Sequence, residues 1–262
     1  MSPNDHATRL LTAVYEGDED AVVRLLRSGA SPESVDADGQ TALYLAAVSD
    51  QPGIVRLLLA TGAAPDRLSQ GTDAPLCGAV CGGHTAVVRA LLAAGAGPDI
   101  VEEFGFTALT WALRRGHTQV TEALLAAGAD PDRPGPTGEP PLVAAARRGS
   151  PGCVRALLAY GAGAKPEALA EARRWLALDV EAELRASLAR AHGAGHPSST
   201  RRYPADDGAD GTDGADGADG AGGITVEVLL LDAEGRPFAG DDQQTGHAEI
   251  AGLLEAALGT AR

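Results

Sequence analysis

An internal repeat of 33 residues constrains the fold of this chain more than any other feature of its sequence. Leucine recurs at this step five times, at Leu10, Leu43, Leu76, Leu109 and Leu142. A pair of leucines, soon followed by Gly-Ala, recurs at the same step, with the pairs at 25–26, 58–59, 91–92, 124–125 and 157–158. Because the copies keep this register without an insertion, we expect an array of equal units. Stacked neighbours then bury the apolar faces that one unit cannot bury alone.

Each unit is predicted to contain two short helices joined by a turn. In the copy around Leu109, apolar residues at helical spacing run up to Gly116, and glycine suits the left-handed conformation that ends many helices. A second apolar stripe over residues 120–125 ends at Gly128. Pro131 then prevents a helix from continuing. The order within a unit is therefore helix, turn, helix, turn.

The motifs of these units resemble the ankyrin repeat. The segments that carry the resemblance are GQTALYLAA (39–47), GHTAVVRALLAAGAGPD (83–99) and GFTALTWAL (105–113), and it extends over about residues 5–165. It implies an all-α solenoid of five 33-residue helix-turn-helix repeats, at about 1–33, 34–66, 67–99, 100–132 and 133–164. The chain departs from the family at the histidine of the Thr-Pro-Leu-His step, which is replaced by Leu11, Tyr44, Cys77, Thr110 and Val143.

Beyond the array the 33-residue step is lost. Residues 165–192 have a strongly helical composition, and we interpret them as a helical C-terminal cap in which Trp175 and Leu176 seal the last stack. Residues 193–223 are predicted to be a disordered acidic Gly/Asp linker, because six aspartates among Gly and Ala leave nothing to build a core. Calcium-binding repeats also use Gly and Asp, but with apolar positions that this segment lacks.

Residues 224–262 are expected to form a small strand-turn-helix element, the C-terminal βα part of an otherwise all-α chain. The segment ITVEVLLLD (224–232) has the β-branched composition of a strand. The segment TGHAEIAGLLEAAL (245–258) resembles the second helix of a repeat but has no matching first helix. Because one strand and one helix are marginal alone, we expect the element to dock on the array, on a second copy or on a partner.

Composition excludes several classes of function. The net charge of −15 disfavours binding to the phosphates of nucleic acids. No apolar run approaches the ~20 residues that a membrane span needs, and the first residues lack the apolar core of a signal peptide. The three cysteines, an odd number in helical segments, favour reduced thiols and a cytoplasmic protein.

No enzyme motif is evident, and no cofactor is expected. The sequence has no His-Glu-x-x-His zinc motif, no Gly-x-Ser-x-Gly elbow and no phosphate-binding loop. Cys77, Cys81 and His84 come nearest to a metal site, but Cys77 occupies a variable repeat position and His84 belongs to the repeat motif. Since a fourth ligand is not evident, we interpret the cysteines as packing residues and expect no metal.

Binding residues are expected where the repeats vary. In the ankyrin family the turn tips and the exposed sides of the first helices line a concave binding face. The corresponding candidates are Asp38, Gln40, Asp73, Glu103, Phe104, Phe106, Trp111, Arg114, Arg115, Glu139, Arg147 and Arg148. Phe104 and Phe106 share one tip in a chain with three Phe, and exposed aromatics on a polar rim are typical of binding hot spots. The alternative for Phe106 and Trp111 is packing between repeats.

Two Arg-Arg pairs, at 114–115 and 147–148, predict four guanidinium groups along one stretch of the binding face. Such clusters favour carboxylates, so the partner is expected to carry an acidic segment. Salt bridges to neighbouring acidic residues are the alternative. We also hypothesise that the chain's own Asp-rich linker contacts these arginines and competes with the partner.

These observations predict a non-enzymatic protein-protein interaction module that binds an unidentified protein through repeats 2 to 5. A second hypothesis is a regulatory or targeting subunit whose C-terminal tail acts on a separately encoded enzyme. The third is an enzyme with an unrecognised site in the tail, but residues 224–262 offer few convergent polar groups.

Overall fold

The computed structural model describes residues 3–205 and 224–259, which form thirteen helices and three strands. The chain divides into two compact units. Of the described residues, the first comprises 3–115 and 119–130, and the second comprises 116–118, 131–205 and 224–259. No helix in the described ranges is both long enough and apolar enough to cross a membrane.

The first unit consists of successive pairs of short helices. Its helices are α1 (Pro3–Glu16), α2 (Glu19–Arg27), α3 (Ala42–Val48), α4 (Pro52–Ala60), α5 (Pro75–Cys81), α6 (Thr85–Ala93), α7 (Ala108–Arg115) and α8 (Thr118–Ala126), of which α8 begins with a residue of the second unit. The first helices of the pairs, α1, α3, α5 and α7, pack in a row, and the second helices α2, α4 and α6 do the same. Each pair therefore buries its apolar face against the next one.

The leucines that recur every 33 residues lie in the core of these stacks. They are no more than 3% exposed: Leu10, Leu43, Leu76 and Leu109. Local signals set the ends of the helices around them. The Thr41 hydroxyl accepts the N–H of Tyr44 at the start of α3, and Pro75 begins α5. Gly95, at φ 89°, follows α6 in the left-handed region that ends helices.

A carboxylate after each pair binds a backbone amide that follows the next pair. In the first unit the contacts are Glu33 Oε1 with Ala64 N (2.6 Å), Asp66 Oδ1 with Gly97 N (3.0 Å) and Asp99 Oδ1 with Asp130 N (3.2 Å). At Glu33, burial raises the pKa of the carboxyl, but the Ala64 N–H and the Arg67 guanidinium outweigh burial and hold that pKa below its ordinary value. This bond repeats with the leucines, so each pair is tied to the next at a fixed register.

The second unit combines further helices with a small sheet. Its elements are α9 (Pro141–Arg148), α10 (Pro151–Ala159), α11 (Lys165–Leu176), α12 (Val180–His192), β1 (Ser198–Pro204), β2 (Ile224–Leu231), β3 (Pro237–Gln244) and α13 (His247–Gly259). The strands form an antiparallel sheet in the order β1-β2-β3. Helix α12 covers one face of the sheet, where Leu184 and Leu188 pack with Val226, Val228 and Leu230. In this unit Asp132 Oδ1 accepts the Gly163 N–H at 2.7 Å, so the carboxylate bond recurs there.

The C-terminal helix α13 docks on the helices α9, α10 and α11 of its own chain. Ile250 and Leu254 are fully buried in this contact. His247 Nε2 donates to the Arg147 carbonyl at 3.2 Å, just as His84 Nε2 contacts the carbonyl of Val48 at 3.3 Å. Positions 48 and 147 are 99 residues apart, which is three repeats. Helices α11 and α13 therefore form a further helix pair, although α12 and the sheet separate them in sequence. Helix α11 is the first helix of this pair, for which the sequence analysis found no match next to residues 245–258.

Two segments differ from the sequence prediction. Residues 198–204, which were predicted to belong to a disordered linker, form the edge strand β1. Their sequence has no apolar alternation that would predict a strand, and the strand is stabilised by pairing with β2. Residues 237–244 form the unpredicted strand β3. Residues 165–192, which were predicted to be helical, form two helices, since the Asp179 carboxylate accepts the Ala182 N–H and begins α12. The aspartates at 206–219 lie outside the described residues.

The carboxylate bond between pairs leads to a stability prediction. Asp66→Ala should lower the free energy of unfolding by about 1 kcal/mol, because the Gly97 N–H loses a charged acceptor at an exposed site. Asp66→Asn keeps an oxygen acceptor and should lose clearly less. Urea denaturation followed by circular dichroism measures both. Glu122→Ala, on the exposed side of α8, is the control, and an Asp66→Ala variant as stable as this control would contradict the role of the bond.

The docking of α13 leads to a second prediction, which compares two glycines. Gly149 and Gly161 have left-handed φ values of 76° and 84°, respectively. A Cβ at Gly149 would lie 2.2 Å from the carbonyl oxygen of Gln244, whereas a Cβ at Gly161 would meet nothing within 4 Å. Both alanine variants should therefore lose about 1–2 kcal/mol through backbone strain. Only Gly149→Ala should also speed hydrogen exchange in α13. Equal exchange of α13 in the two variants would show that the contact does not hold the helix.

Candidate binding groove

The candidate site begins with the turn before α7. Glu102 N–H donates to the Phe106 carbonyl at 2.8 Å, and Gly105 N–H donates to the Glu102 carbonyl at 2.9 Å. Gly105 has φ 80°, in the left-handed region, so the turn requires glycine at this position. The turn holds Phe104 at its tip, where the side chain is 75% exposed. The predicted exposed aromatic residue is therefore present at this tip.

Phe106 and Trp111 form an aromatic pair behind the tip. Their rings are stacked, with centroids 4.5 Å apart and an interplanar angle of 20°. The Arg114 guanidinium lies over both rings, 5.3 Å from the centroid of Phe106 and 5.4 Å from that of Trp111. Such cation–π contacts are worth about 0.5–1 kcal/mol at exposed sites. The two rings thus pack on each other and keep Arg114 in place on the surface.

The Glu102 carboxylate connects this turn to the preceding one. Its Oε1 atom accepts the Ala74 N–H at 3.1 Å, and its Oε2 atom accepts the Trp111 indole N–H at 2.9 Å. Two donors from different elements therefore fix the carboxylate and the indole ring relative to each other. Glu102 was not among the residues predicted to bind a partner, although its exposed neighbour Glu103 was.

A surface groove, which we call the tip groove, lies between α3, α5 and α7. Its volume is about 440 Å³, and its lining residues are Tyr44, Val48, Asp73, Cys77, Gly78, Cys81, Gly82, Glu102 and Trp111. Gly78 lets Val48 and Tyr44 pack close to the backbone of α5, because a Cβ there would lie 2.7 Å from Val48 Cγ1 and 2.9 Å from Tyr44 Cε2. The groove therefore depends on a glycine in the middle of α5, where glycine weakens a helix.

The tip groove carries negative charge at the end that lies near Asp73 and Glu102. Burial raises the pKa of Tyr44, and the Asp73 and Glu102 carboxylates raise it further. Burial also raises the pKa of Cys81 to about 11, with Glu102 and Asp73 acting in the same direction and Arg115 and Arg114 opposing them. The groove is thus acidic near Asp73 and Glu102 and faces the arginines of α7 at its other end.

The cysteines of the groove do not form a metal site with His84. The His84 imidazole contacts the Val48 carbonyl through Nε2 and the Asp50 carboxylate at 3.7 Å through Nδ1. Burial, followed by the Glu102 carboxylate, raises the pKa of the Cys77 thiol far above its ordinary value, which opposes the thiolate that a metal needs. In the described part of the chain, no group of three or more His, Cys, Asp or Glu residues is arranged to hold a metal ion.

The other predicted residues of the first unit lie at separate points. Asp38 is exposed and Gln40 is partly buried, in a turn whose N–H groups donate to the Asp36 carboxylate. Glu103 is exposed beside Phe104, and Arg115 is exposed at the end of α7. The structure therefore brings Asp73, Trp111 and the Phe106–Arg114 stack together around the tip groove, but not Asp38 or Gln40.

The arginine pair of the second unit is already engaged in ion pairs. The Arg147 guanidinium contacts the Glu139 and Glu171 carboxylates. Arg148, whose side chain is 11% exposed, pairs with the Asp242 carboxylate and donates to the Asp242 carbonyl at 2.7 Å. This differs from the expectation that all four guanidinium groups face a partner. For this pair the alternative of salt bridges applies, because β3 brings an aspartate to Arg148.

His247 lies at the centre of the contact that α13 makes with α9 and α11. Its side chain is buried and stacks on the Trp175 ring, with centroids 5.5 Å apart and an interplanar angle of 7°. The Gln243 amide donates to the same Arg147 carbonyl that His247 contacts. Burial lowers the pKa of His247, although the Arg147 carbonyl and the Glu171 carboxylate oppose this effect. The folded unit therefore disfavours protonation of this imidazole.

Sequence reasoning missed three features of the groove. Tyr44 and Cys77 occupy the repeat position where the family has histidine, so their departure from the motif was the available signal. Gly78 had no such signal, because its effect depends on two side chains of the neighbouring helix α3.

Comparison with known proteins gives one finding. A family model described as ankyrin repeats, in three copies, matches residues 10–101 and 76–168. These matches together span residues 10–168, which is 159 of 262 residues and more than half of the chain. No curated protein matches the chain.

The buried His247, whose pKa is lowered in the folded unit, predicts that the second unit loses stability in mild acid. Because its pKa is lowered in the folded state, the unfolded chain takes up the proton first as the pH falls below about 6.5. The stability is fully present above this value and declines below it. We expect urea denaturation of the second unit to shift to lower urea between pH 7.5 and 5.5, and the shift to shrink in His247→Gln. His6→Gln, in the first unit, is the control; an unchanged shift in His247→Gln would exclude His247 as the cause.

Proposed function

We propose that this chain, which belongs to the ankyrin repeat family, is a non-enzymatic module that binds a protein partner through the turn tips and first helices of its repeats. We count five repeats in residues 1–164 and place the contact on repeats 2 to 5, with its centre at the tip groove. Ankyrin repeats are generally protein-protein interaction modules, which supports the class of function but not the identity of the partner. We further propose that it acts in the cytoplasm, since Cys77, Cys81 and Cys153 are not in disulfides.

The observation that carries the proposal is the exposed aromatic tip. Phe104 is 75% exposed next to the Phe106–Trp111 pair and the tip groove. Aromatic and arginine side chains that stand beside a pocket dominate the energetics of many protein interfaces. The turn hydrogen bonds of Glu102 and Gly105 fix the tip, so little conformational entropy is lost when a partner binds there.

The arginines of α7 favour a partner that carries carboxylates near the tip. In the described ranges neither Arg114 nor Arg115 forms an ion pair, whereas Arg147 and Arg148 both do. We therefore assign the contact with an acidic segment of the partner to Arg114 and Arg115 alone. The hypothesis that the chain's own Asp-rich segment competes for these arginines involves residues outside the described ranges and stays a prediction.

The second hypothesis, a tail that acts on a separate enzyme, has less support. Most of the described tail is part of the second unit, since β2 lies between β1 and β3 and α13 is packed against α11. Ile224 and Phe238 remain exposed, at 49% and 48%. They are the tail residues through which a second partner contact would act.

Affinity capture from cytoplasmic extract tests the proposed function. The intact chain should retain a protein that the triple variant Phe104→Ala/Arg114→Ala/Arg115→Ala loses, by about tenfold or more, because the variant removes a hot-spot aromatic and two charges. Arg56→Ala/Arg89→Ala, which removes two exposed arginines from α4 and α6, is the control for charge.

Two results would contradict the proposal. Equal capture by the intact chain and the triple variant would move the site off the tip. Loss of the captured protein from a Phe238→Ala variant alone would favour the tail instead.

A further inference from the structure

We propose that the tip groove is a binding site for an arginine side chain of the partner, so that the partner presents a guanidinium group to Asp73 and Glu102. This inference rests on the proposed function and names the chemistry of the partner at that site. Arg114 and Arg115 then contact carboxylates that flank this arginine on the partner.

The first argument is the charge of the groove. Asp73 and Glu102 are both partly buried, and neither pairs with a basic side chain among residues 3–205 and 224–259. Partly buried carboxylates without a counter-charge are costly, because burial removes water that would solvate them. A guanidinium group supplies the missing charge and the donors for both carboxylates in one planar fork.

The second argument is that the site is already formed. Glu102 is held by the Ala74 N–H and the Trp111 indole N–H, so its position does not depend on a ligand. The Cys77 thiol also hydrogen-bonds to this carboxylate, but an ionised carboxylate has about four lone-pair sites, so these three bonds leave acceptor capacity for a ligand. A carboxylate fixed in advance costs little entropy when it binds a cation.

The third argument is the shape and composition of the walls. Tyr44 and Trp111 line the groove with aromatic rings, and aromatic rings attract guanidinium groups. Val48 and Cys77 supply apolar surface against which the methylene groups of an arginine pack. Gly78 lets Tyr44 and Val48 approach the backbone of α5. The volume of about 440 Å³ is enough for one long side chain but is small for a folded element.

The electrostatic effects on neighbouring groups agree with a cation site. After burial, the negative charges of Asp73 and Glu102 raise the pKa of the Tyr44 hydroxyl, so both charges act inside the groove. An acidic side chain in this position would be repelled by the same two carboxylates. Neither arginine of α7 lines the tip groove, and Arg114 lies over the rings of Phe106 and Trp111.

A peptide titration of the full chain tests the inference. The probe is acetyl-Gly-Ala-Arg-Ala-Gly-amide, and the matched probe carries citrulline, which keeps the shape of arginine without its charge. Because the chain has two tryptophans, its indole N–H groups give two signals in a ¹H–¹⁵N spectrum, and Trp175→Phe assigns them. The arginine peptide should shift the Trp111 signal and leave that of Trp175 in place. The citrulline peptide should need about tenfold more concentration for the same shift.

Variants of the chain make the test specific. Asp73→Asn keeps the size of the side chain and removes one charge, so it should weaken the arginine peptide about tenfold. Glu102→Gln should weaken it too, but it also disturbs a hydrogen bond to Ala74 or Trp111. Glu122→Gln removes one charge from the exposed side of α8 and should leave the titration unchanged.

Several outcomes would overturn the inference. They are equal titrations with arginine and citrulline, no Trp111 shift with either probe, an undiminished titration in Asp73→Asn, or a larger shift with a glutamate probe. Partner capture by Asp73→Asn separates the two proposals. If the partner is retained by Asp73→Asn but lost by the Phe104/Arg114/Arg115 triple variant, the proposed function stands and the arginine site fails. If the peptide binds while the triple variant captures normally, the tip contact fails instead.

Discussion

The rest of the structure depends on one repeated bond, in which a carboxylate after one helix pair accepts a backbone N–H that follows the next pair. The bond occurs at Glu33, Asp66, Asp99 and Asp132, which are 33 residues apart. Leucine burial supplies most of the driving force for stacking, but it is not directional. The hydrogen bond is directional and sets how far one pair is displaced along the next. Within each unit, turns and first helices therefore return at a constant spacing.

Because the repeats are spaced regularly, the positions at which the residue differs between copies can be identified. The tip groove is formed by residues that differ between copies, among them Tyr44, Gly78 and Trp111, while the leucines beneath them stay the same. The scaffold is stabilised by the constant positions, so the variable ones are available for recognition. Their cost is local: a helical glycine, and two partly buried carboxylates without a counter-charge. The two carboxylates favour a cationic ligand at this site.

The sequence predicts much of the fold, because the fold is periodic. The helix pairs, the buried leucines and the exposed tip at Phe104 all follow from the 33-residue step. The family assignment is confirmed by the family-model match. The pair α11–α13 could not be predicted, because its two helices are separated in sequence by α12 and the sheet. The edge strand β1 was missed because its residues carry no apolar alternation and it is held by pairing with β2.

The site was predicted in part, for similar reasons. Because aromatic residues are rare in the chain, the sequence drew attention to this tip, and the predicted exposure of Phe104 is confirmed. The role of Glu102 depends on two donors, the Ala74 N–H and the Trp111 indole, that only the folded chain brings together. The engagement of Arg148 depends on Asp242, which is 94 residues away. Contacts between single residues that are far apart in sequence do not follow the repeat, so they could not be predicted from it and are known only from the structure.

The most direct test of the account is hydrogen exchange of the full chain with and without the captured partner. The account predicts slower exchange at residues 73–82 and 101–115, which contain the lining of the tip groove on α5 and α7 and the exposed tip. Slower exchange confined to residues 224–259 would contradict it, because the partner would then bind the second unit and the tip groove would not be the site.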